Sequence, residues 1–215
     1  MVLKAEKVYK TIKNRIILND VSLELNGGKV YAFMGENGSG KTMLFRALSG
    51  LMNIDSGLIS FNGKVLHKDF NVIPSLGIML ENAGLFPDKT GYDNLLYLSK
   101  LRNLIGKEEI TDSLLRVGLN PNDKRLYKKY SLGMKQRLII AQAIMERPDV
   151  LMLDEPTNSL DTKGIELIRN IILEEKNRGA MVLIASHIKE DINILADEVY
   201  LISSGTITKM EGTRY

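Results

Sequence analysis

The sequence contains no cysteine and no tryptophan, and only two histidines, His67 and His187. A thiol nucleophile, a thiolate metal site and a disulfide frame are therefore excluded, and two histidines are too few for a histidine metal cluster. Proline is scarce, at five in 215 residues, and aromatic residues make up only 6%. No apolar run approaches the roughly 20 residues of a membrane-spanning helix; the uncharged run Asn71 to Leu80 is interrupted by Pro74 and Gly77. The opening Met1-Val2-Leu3-Lys4-Ala5-Glu6-Lys7 lacks an apolar signal core of about 7–15 residues, so a cytoplasmic chain is expected. A charge excess of one sign is missing too: 29 Lys and Arg against 26 Asp and Glu give +3, and no nucleic-acid partner is expected. What remains is average globular usage, with 44% apolar and 26% charged residues, which suits a single domain over residues 1–215.

The first third consists of short apolar runs bounded by Gly, Asn and Asp. Val21 to Leu25 alternates with period two, as a half-buried strand does. Asn26-Gly27-Gly28 reads as a hairpin turn into a second, continuously apolar strand, Lys29 to Met34. A helix is expected from about Lys41 to Leu48, and a further strand at Gly57 to Phe61. The middle is helical in spacing, over Tyr92 to Leu101, Lys107 to Val117 and Ser131 to Met145. Apolar strands return at Val150 to Asp154 and Met181 to Ser186, separated by a helix over Thr162 to Arg178. Continuously apolar strands alternating with helices imply an α/β core whose parallel sheet is covered on both faces. The core is assigned to residues 1–81 and 146–215, and a helical insertion to about 82–145.

Gly35-Glu36-Asn37-Gly38-Ser39-Gly40-Lys41-Thr42, followed by Met43, fits the phosphate-loop pattern Gly-x-x-x-x-Gly-Lys-Ser/Thr between a strand and a helix. Phosphate oxygens are anionic acceptors. Glycines let backbone N–H groups wrap them, and the helix N-terminus adds its positive end. Lys41 supplies a cation beside the β- and γ-phosphates, and Thr42 a hydroxyl for Mg²⁺. Asp154 ends a buried strand, where open α/β sheets bind ligands, and can hold the same Mg²⁺. Glu155 follows and can accept a proton from, or orient, an attacking water.

Tyr130-Ser131-Leu132-Gly133-Met134-Lys135-Gln136-Arg137 then opens a helix. In this order the chain resembles the ATP-binding subunits of ABC transporters, whose signature, commonly Leu-Ser-Gly-Gly-Gln, is represented by Ser131-Leu132-Gly133-Met134-Lys135. The resemblance implies a P-loop NTPase, RecA-like core with an antiparallel β subdomain and a helical subdomain. It implies ATP and Mg²⁺ as cofactors, and catalysis by Glu155, His187 and Lys41. Ser131, Leu132, Gly133 and Met134 would contact ATP held by the opposite subunit of a homodimer or heterodimer. Asn158-Ser159-Leu160-Asp161 resembles the D-loop at that interface, with Ser159 and Asp161 its site residues, and Ser186-His187 the switch histidine. A polytopic membrane permease would be the partner, met near Glu81 to Phe86 at the inner face of the membrane.

Two positions depart from the family pattern. Glu81, a carboxylate that can still ligate Mg²⁺, stands where a Mg²⁺-contacting Gln is usual, and Tyr9 or Ile12 stands where an aromatic ring stacks on adenine. Glu81-Asn82-Ala83-Gly84-Leu85-Phe86-Pro87, with the Ser-Leu-Gly-Met-Lys-Gln-Arg signature, is similar to the subgroup serving bacitracin- and lantibiotic-type peptide exporters. A soluble ABC-type ATPase acting on nucleic acid or ribosomes is the alternative. The interval between Lys41 and Asp154 holds no heptad run of the kind its repair members carry, and the chain has a single phosphate loop. A regulatory module that binds nucleotide without turnover is opposed by Lys41, Asp154, Glu155 and His187 together.

Overall fold

The computed structural model describes residues 1–80 and 84–210. The chain opens with two long antiparallel strands, β1 (Val2–Ile12) and β2 (Arg15–Asn26). Leu3, Ala5 and Val8 of β1 and Val21, Leu23 and Leu25 of β2 are buried, while Glu6, Ser22 and Glu24 are exposed. This is the period-two pattern of a sheet with one face in the core. The next strand, β3 (Val30–Met34), does not pair with β2, so Asn26-Gly27-Gly28 is not the hairpin turn that the sequence predicts. It carries the chain from one sheet to another, with the Gly27 N–H donating to the Met1 carbonyl and the Gly28 N–H to that of Ala180. The reason is burial. Val30, Tyr31, Ala32 and Phe33 are fully covered, and only the middle of a two-sided parallel sheet offers apolar cover on both faces.

Helix α1 (Lys41–Ser49) leads to β4 (Ser56–Phe61) and β5 (Lys64–Val65), completing an antiparallel sheet in the order β2-β1-β4-β5. Strand β6 (Leu76–Met79) enters the second sheet, and three helices follow: α2 (Gly91–Arg102), α3 (Lys107–Arg116) and α4 (Leu132–Ile144). Then come β7 (Val150–Asp154), α5 (Thr162–Asn177), β8 (Met181–Ala185), α6 (Lys189–Leu195), β9 (Glu198–Ser203) and β10 (Thr206–Lys209). The second sheet runs β10-β9-β3-β8-β7-β6, parallel from β9 to β6 and antiparallel at the β10 edge. Its strands divide their side chains between two cores. Val30, Ala32, Leu151, Leu153, Val182 and Ile184 join Leu95, Leu114, Leu138 and Ile168 from the helices. Tyr31, Phe33, Met152 and Leu183 join Phe45 and Leu48 of α1 and the buried side of the antiparallel sheet. Helix α4 lies hard against β6, where a side chain at Gly77 would come 1.9 Å from the Ala143 carbonyl oxygen. No helix among the described residues is long and apolar enough to cross a membrane.

Candidate active site

The strand order decides what meets. β3, β8 and β7 are neighbours and run parallel, so the segments after their carboxyl ends open at one edge of the sheet. Those segments are the glycine-rich loop after Met34, Ser186-His187 after Ala185, and Asp154-Glu155 at the end of β7. Backbone bonds lock them in register: the Glu155 N–H donates to the Ala185 carbonyl at 2.8 Å, and the Ser186 N–H to Phe33 at 3.2 Å.

Between them lies a cavity of about 530 Å³, lined by Asn37, Gly38, Gly40, Lys41, Thr42 and Met43 from the loop and α1. Asp154, Glu155, Asn158 and His187 close its other side. Gly40 has a φ of 111°, a left-handed conformation that glycine adopts without steric cost. Gly35 leaves no room for a side chain, since a Cβ there would stand 2.5 Å from both the Ile202 carbonyl and Ser39 Oγ. The Lys41 ammonium is buried and donates to the carbonyls of Gly35 at 2.7 Å and Glu36 at 3.1 Å.

The acidic side is equally specific. The Thr42 hydroxyl donates to Asp154 Oδ2. A hydroxyl and a carboxylate converging at a phosphate loop are hard oxygen donors of the kind Mg²⁺ takes while keeping water and phosphate in its remaining positions, so the residues fit that ion. Glu155 Oε1 lies 2.9 Å from His187 Nδ1 and 4.0 Å from Lys41 Nζ. Its other oxygen, Oε2, is buried with no hydrogen-bond partner among the described residues. Glu155 itself sits at φ 51°, a sparsely populated region for a side-chain-bearing residue that persists where surroundings enforce it. The arrangement offers a cation for phosphate, an oxygen pair for a divalent ion, and a carboxylate with one open acceptor beside a histidine.

The other sequence-stated residues fall in several places. Ser131 is the N-cap of α4, its Oγ accepting from the Met134 N–H at 3.2 Å, and Leu132 beside it is 66% exposed. Neither these two nor Gly133 and Met134 line the cavity. Asp161 caps α5 by accepting from the Gly164 N–H at 2.9 Å, and Ser159 takes a left-handed φ of 65°. Tyr9 and Ile12 do not line the cavity either; the residue of the first hairpin that does is Ile17. Desolvation, together with the neighbouring Asp20 carboxylate, holds the Tyr9 phenol above the ordinary range. Glu81 lies outside the described residues. Asn158, which opens the D-loop-like stretch, is a cavity wall; Ile17, the other wall, has no motif of its own, and only the approach of β2 to the loop places it. His67 is exposed.

The ABC transporter family model matches residues 18–158. The chain is 45% identical over 206 residues to an uncharacterized ABC transporter ATP-binding protein of Bacillus subtilis (strain 168), YybJ, covering 96% of this chain and 94% of that one. It is 38% identical to the lantibiotic transport ATP-binding protein SrtF of Streptococcus pyogenes, covering 95% and 88% respectively. Its fold is that of a bacterial ABC transporter cassette solved as a dimer, with a TM-score of 0.85 at 20% identity, over 98% of this chain and 99% of that one.

Proposed function

The chain belongs to the ABC transporter family, and from that premise we propose that it binds MgATP at the loop over Gly35 to Met43 and hydrolyses it to power export through a separate permease. The observation that carries this reading is the meeting of Lys41, Thr42, Asp154, Glu155 and His187 around one cavity. As one cassette, two copies, or one copy and a related chain, close over two nucleotides. The Ser131 cap and the first N–H groups of α4 then face the γ-phosphate held by the other subunit, which suits their position away from this chain's own cavity. The similarity to a lantibiotic transport protein supports amphipathic peptides as cargo. The relatives named above are transport proteins by name and give the nucleic-acid alternative no support.

The mechanism follows from the residues. Backbone N–H groups of the loop orient the triphosphate, and Lys41 offsets its charge. At about 4 Å and an effective dielectric near 20, one such pair contributes about 4 kcal/mol, against about 1 in water. Thr42 and Asp154 would hold Mg²⁺, which neutralises phosphate charge when bound. Glu155 Oε2 accepts a hydrogen bond from the attacking water and polarises it toward the γ-phosphorus. His187 Nδ1 lies 2.9 Å from the other oxygen of Glu155 and fixes the carboxylate from the side of the cavity that His187 lines.

Coupling to the permease is assigned to the aromatic pair Phe86 and Tyr97, which are 37% and 47% exposed with ring centroids 4.8 Å apart. The fully buried Asn94 fixes this loop, accepting from the Phe86 N–H at 2.7 Å and donating to the Phe86 and Thr90 carbonyls. The test is a tagged pull-down from detergent-solubilised membranes of the native host. Stoichiometric recovery of a polytopic membrane protein, lost in Phe86→Ser/Tyr97→Ser, is expected. Recovery of only ribosomes, nucleic acid or soluble proteins would overturn the transport reading.

A further inference from the structure

The left-handed backbone of Glu155 needs a restraint, and part of it comes from another layer of the molecule. Within the sheet, the Glu155 N–H is held by Ala185. Its carbonyl is held from α4: Gln136 Nε2 donates to the Glu155 carbonyl at 2.9 Å and to the Pro156 carbonyl at 3.3 Å. One side-chain amide thus grips two consecutive carbonyls, fixing the peptide that joins them. The first turn of α4 rests on the same segment further along, where a Cβ on Gly133 would stand 3.0 Å from the Ser159 carbonyl oxygen. The far end of α4 is pinned to the sheet by the close approach of Ala143 to Gly77. Helix α4 is therefore tied to residues 155–160, and Gln136 is a polar link between them.

We infer that Gln136 is a positioning residue for hydrolysis: it holds the Glu155 backbone so that the carboxylate meets the attacking water, and it ties that carboxylate to the Ser131 end of α4. The inference rests on the role proposed for Glu155. Gln136 itself touches no reacting atom. Gln136 sits one helical turn from Leu132 and Gly133, so a shift of the α4 N-terminus against an opposing nucleotide is passed to the two carbonyls it holds. Misplacement of a reacting group by about 1 Å can cost on the order of a hundredfold in rate, which sets the size of the effect.

The experiment uses the full chain with MgATP and compares Gln136→Met, Gln136→Glu and Gln136→Lys with wild type, and with Glu155→Gln in parallel. Met keeps the length and loses the donor, Glu puts a carboxylate against two carbonyl oxygens, and Lys restores a donor. The expected result is a fall in kcat of about tenfold to a hundredfold for Met and at least as much for Glu, with KM and the affinity for a fluorescent ATP analogue within about twofold. Lys should return kcat to within about threefold of wild type. A Met variant within twofold of wild-type kcat overturns the inference. So does a Lys variant as slow as Met, or a loss of nucleotide affinity in step with kcat. If Met loses its cooperative melting transition, Glu against Lys decides, since both keep a polar side chain and only one donates. Should Glu155→Gln turn over like wild type, the reading of Glu155 itself fails; if it is inactive while Gln136→Met is normal, only the role of Gln136 does.

Discussion

Lys41 is held inside its own loop by two carbonyls, so replacing it changes charge at the centre of the phosphate site without opening the core. Lys41→Ala is expected to weaken ATP binding by about two orders of magnitude, part of the roughly 4 kcal/mol available to the charge pair. Equilibrium titration with a fluorescent nucleotide measures it, and an affinity within threefold of wild type would refute the placement of the phosphates. Ile17 carries a different expectation. An aliphatic wall gives a purine apolar contact and no hydrogen-bond readout, and such a pocket discriminates weakly. ATP and GTP should therefore bind within about tenfold of each other, while Ile17→Ala should weaken both alike. A strong preference for ATP that Ile17→Ala leaves intact would move the base site elsewhere.

At the scale of elements, the loop after β7 is tied to α5 and α6 by one buried ion pair. The Asp191 carboxylate, 1% exposed, accepts from Arg169 Nε at 2.8 Å and Nη2 at 2.6 Å, and from the Thr157 hydroxyl. Thr157 is two residues beyond Glu155 and α6 begins two beyond His187, so this pair frames the 2.9 Å contact between them. Arg169→Met leaves a buried carboxylate without its cation. It should cost about 3–5 kcal/mol of stability, read from denaturant unfolding; a loss under 1 kcal/mol would show that the pair does not organise the loop.

The sequence made the central strands and α1 to α5 legible, because apolar continuity and helical spacing mark them directly. It did not reveal β1, α6, β9 or β10. In β1, Lys4, Glu6, Lys7 and Lys10 surround only three buried positions and a register shift breaks the alternation. Helix α6 has seven residues, too few to display a period. The false hairpin at Asn26 to Gly28 has the right local turn chemistry, and only the two-sided burial of β3 overrides it. In the site, the loop and the acidic pair were readable from fixed spacings. Ile17 and Gln136 reach the site through tertiary approach, which no spacing encodes.

For the whole molecule, the separation of the Ser131 cap from the cavity has a consequence. A lone copy presents the phosphate loop and Glu155 in one place and the start of α4, with exposed Leu132, in another, so under the proposed function the complete site requires a second chain. Hydrolysis should accordingly rise more steeply than linearly with protein concentration until the dimer is saturated, and a strictly linear dependence at submicromolar protein would argue for a self-sufficient monomer. Leu132→Asp, on the exposed face, should reduce ATP-dependent association and leave nucleotide affinity of the single chain within about twofold, as expected of surface changes away from the fold's core.

The most direct test of the account is steady-state phosphate release by wild type and Glu155→Gln, read beside sedimentation in MgATP. Glu155→Gln should hydrolyse ATP at least about a hundredfold more slowly, within the range for loss of a positioned general base, while it keeps ATP and accumulates as a dimer. Turnover at the wild-type rate, or a variant that stays monomeric with ATP bound, would contradict the role of Glu155 and the two-copy site built around it.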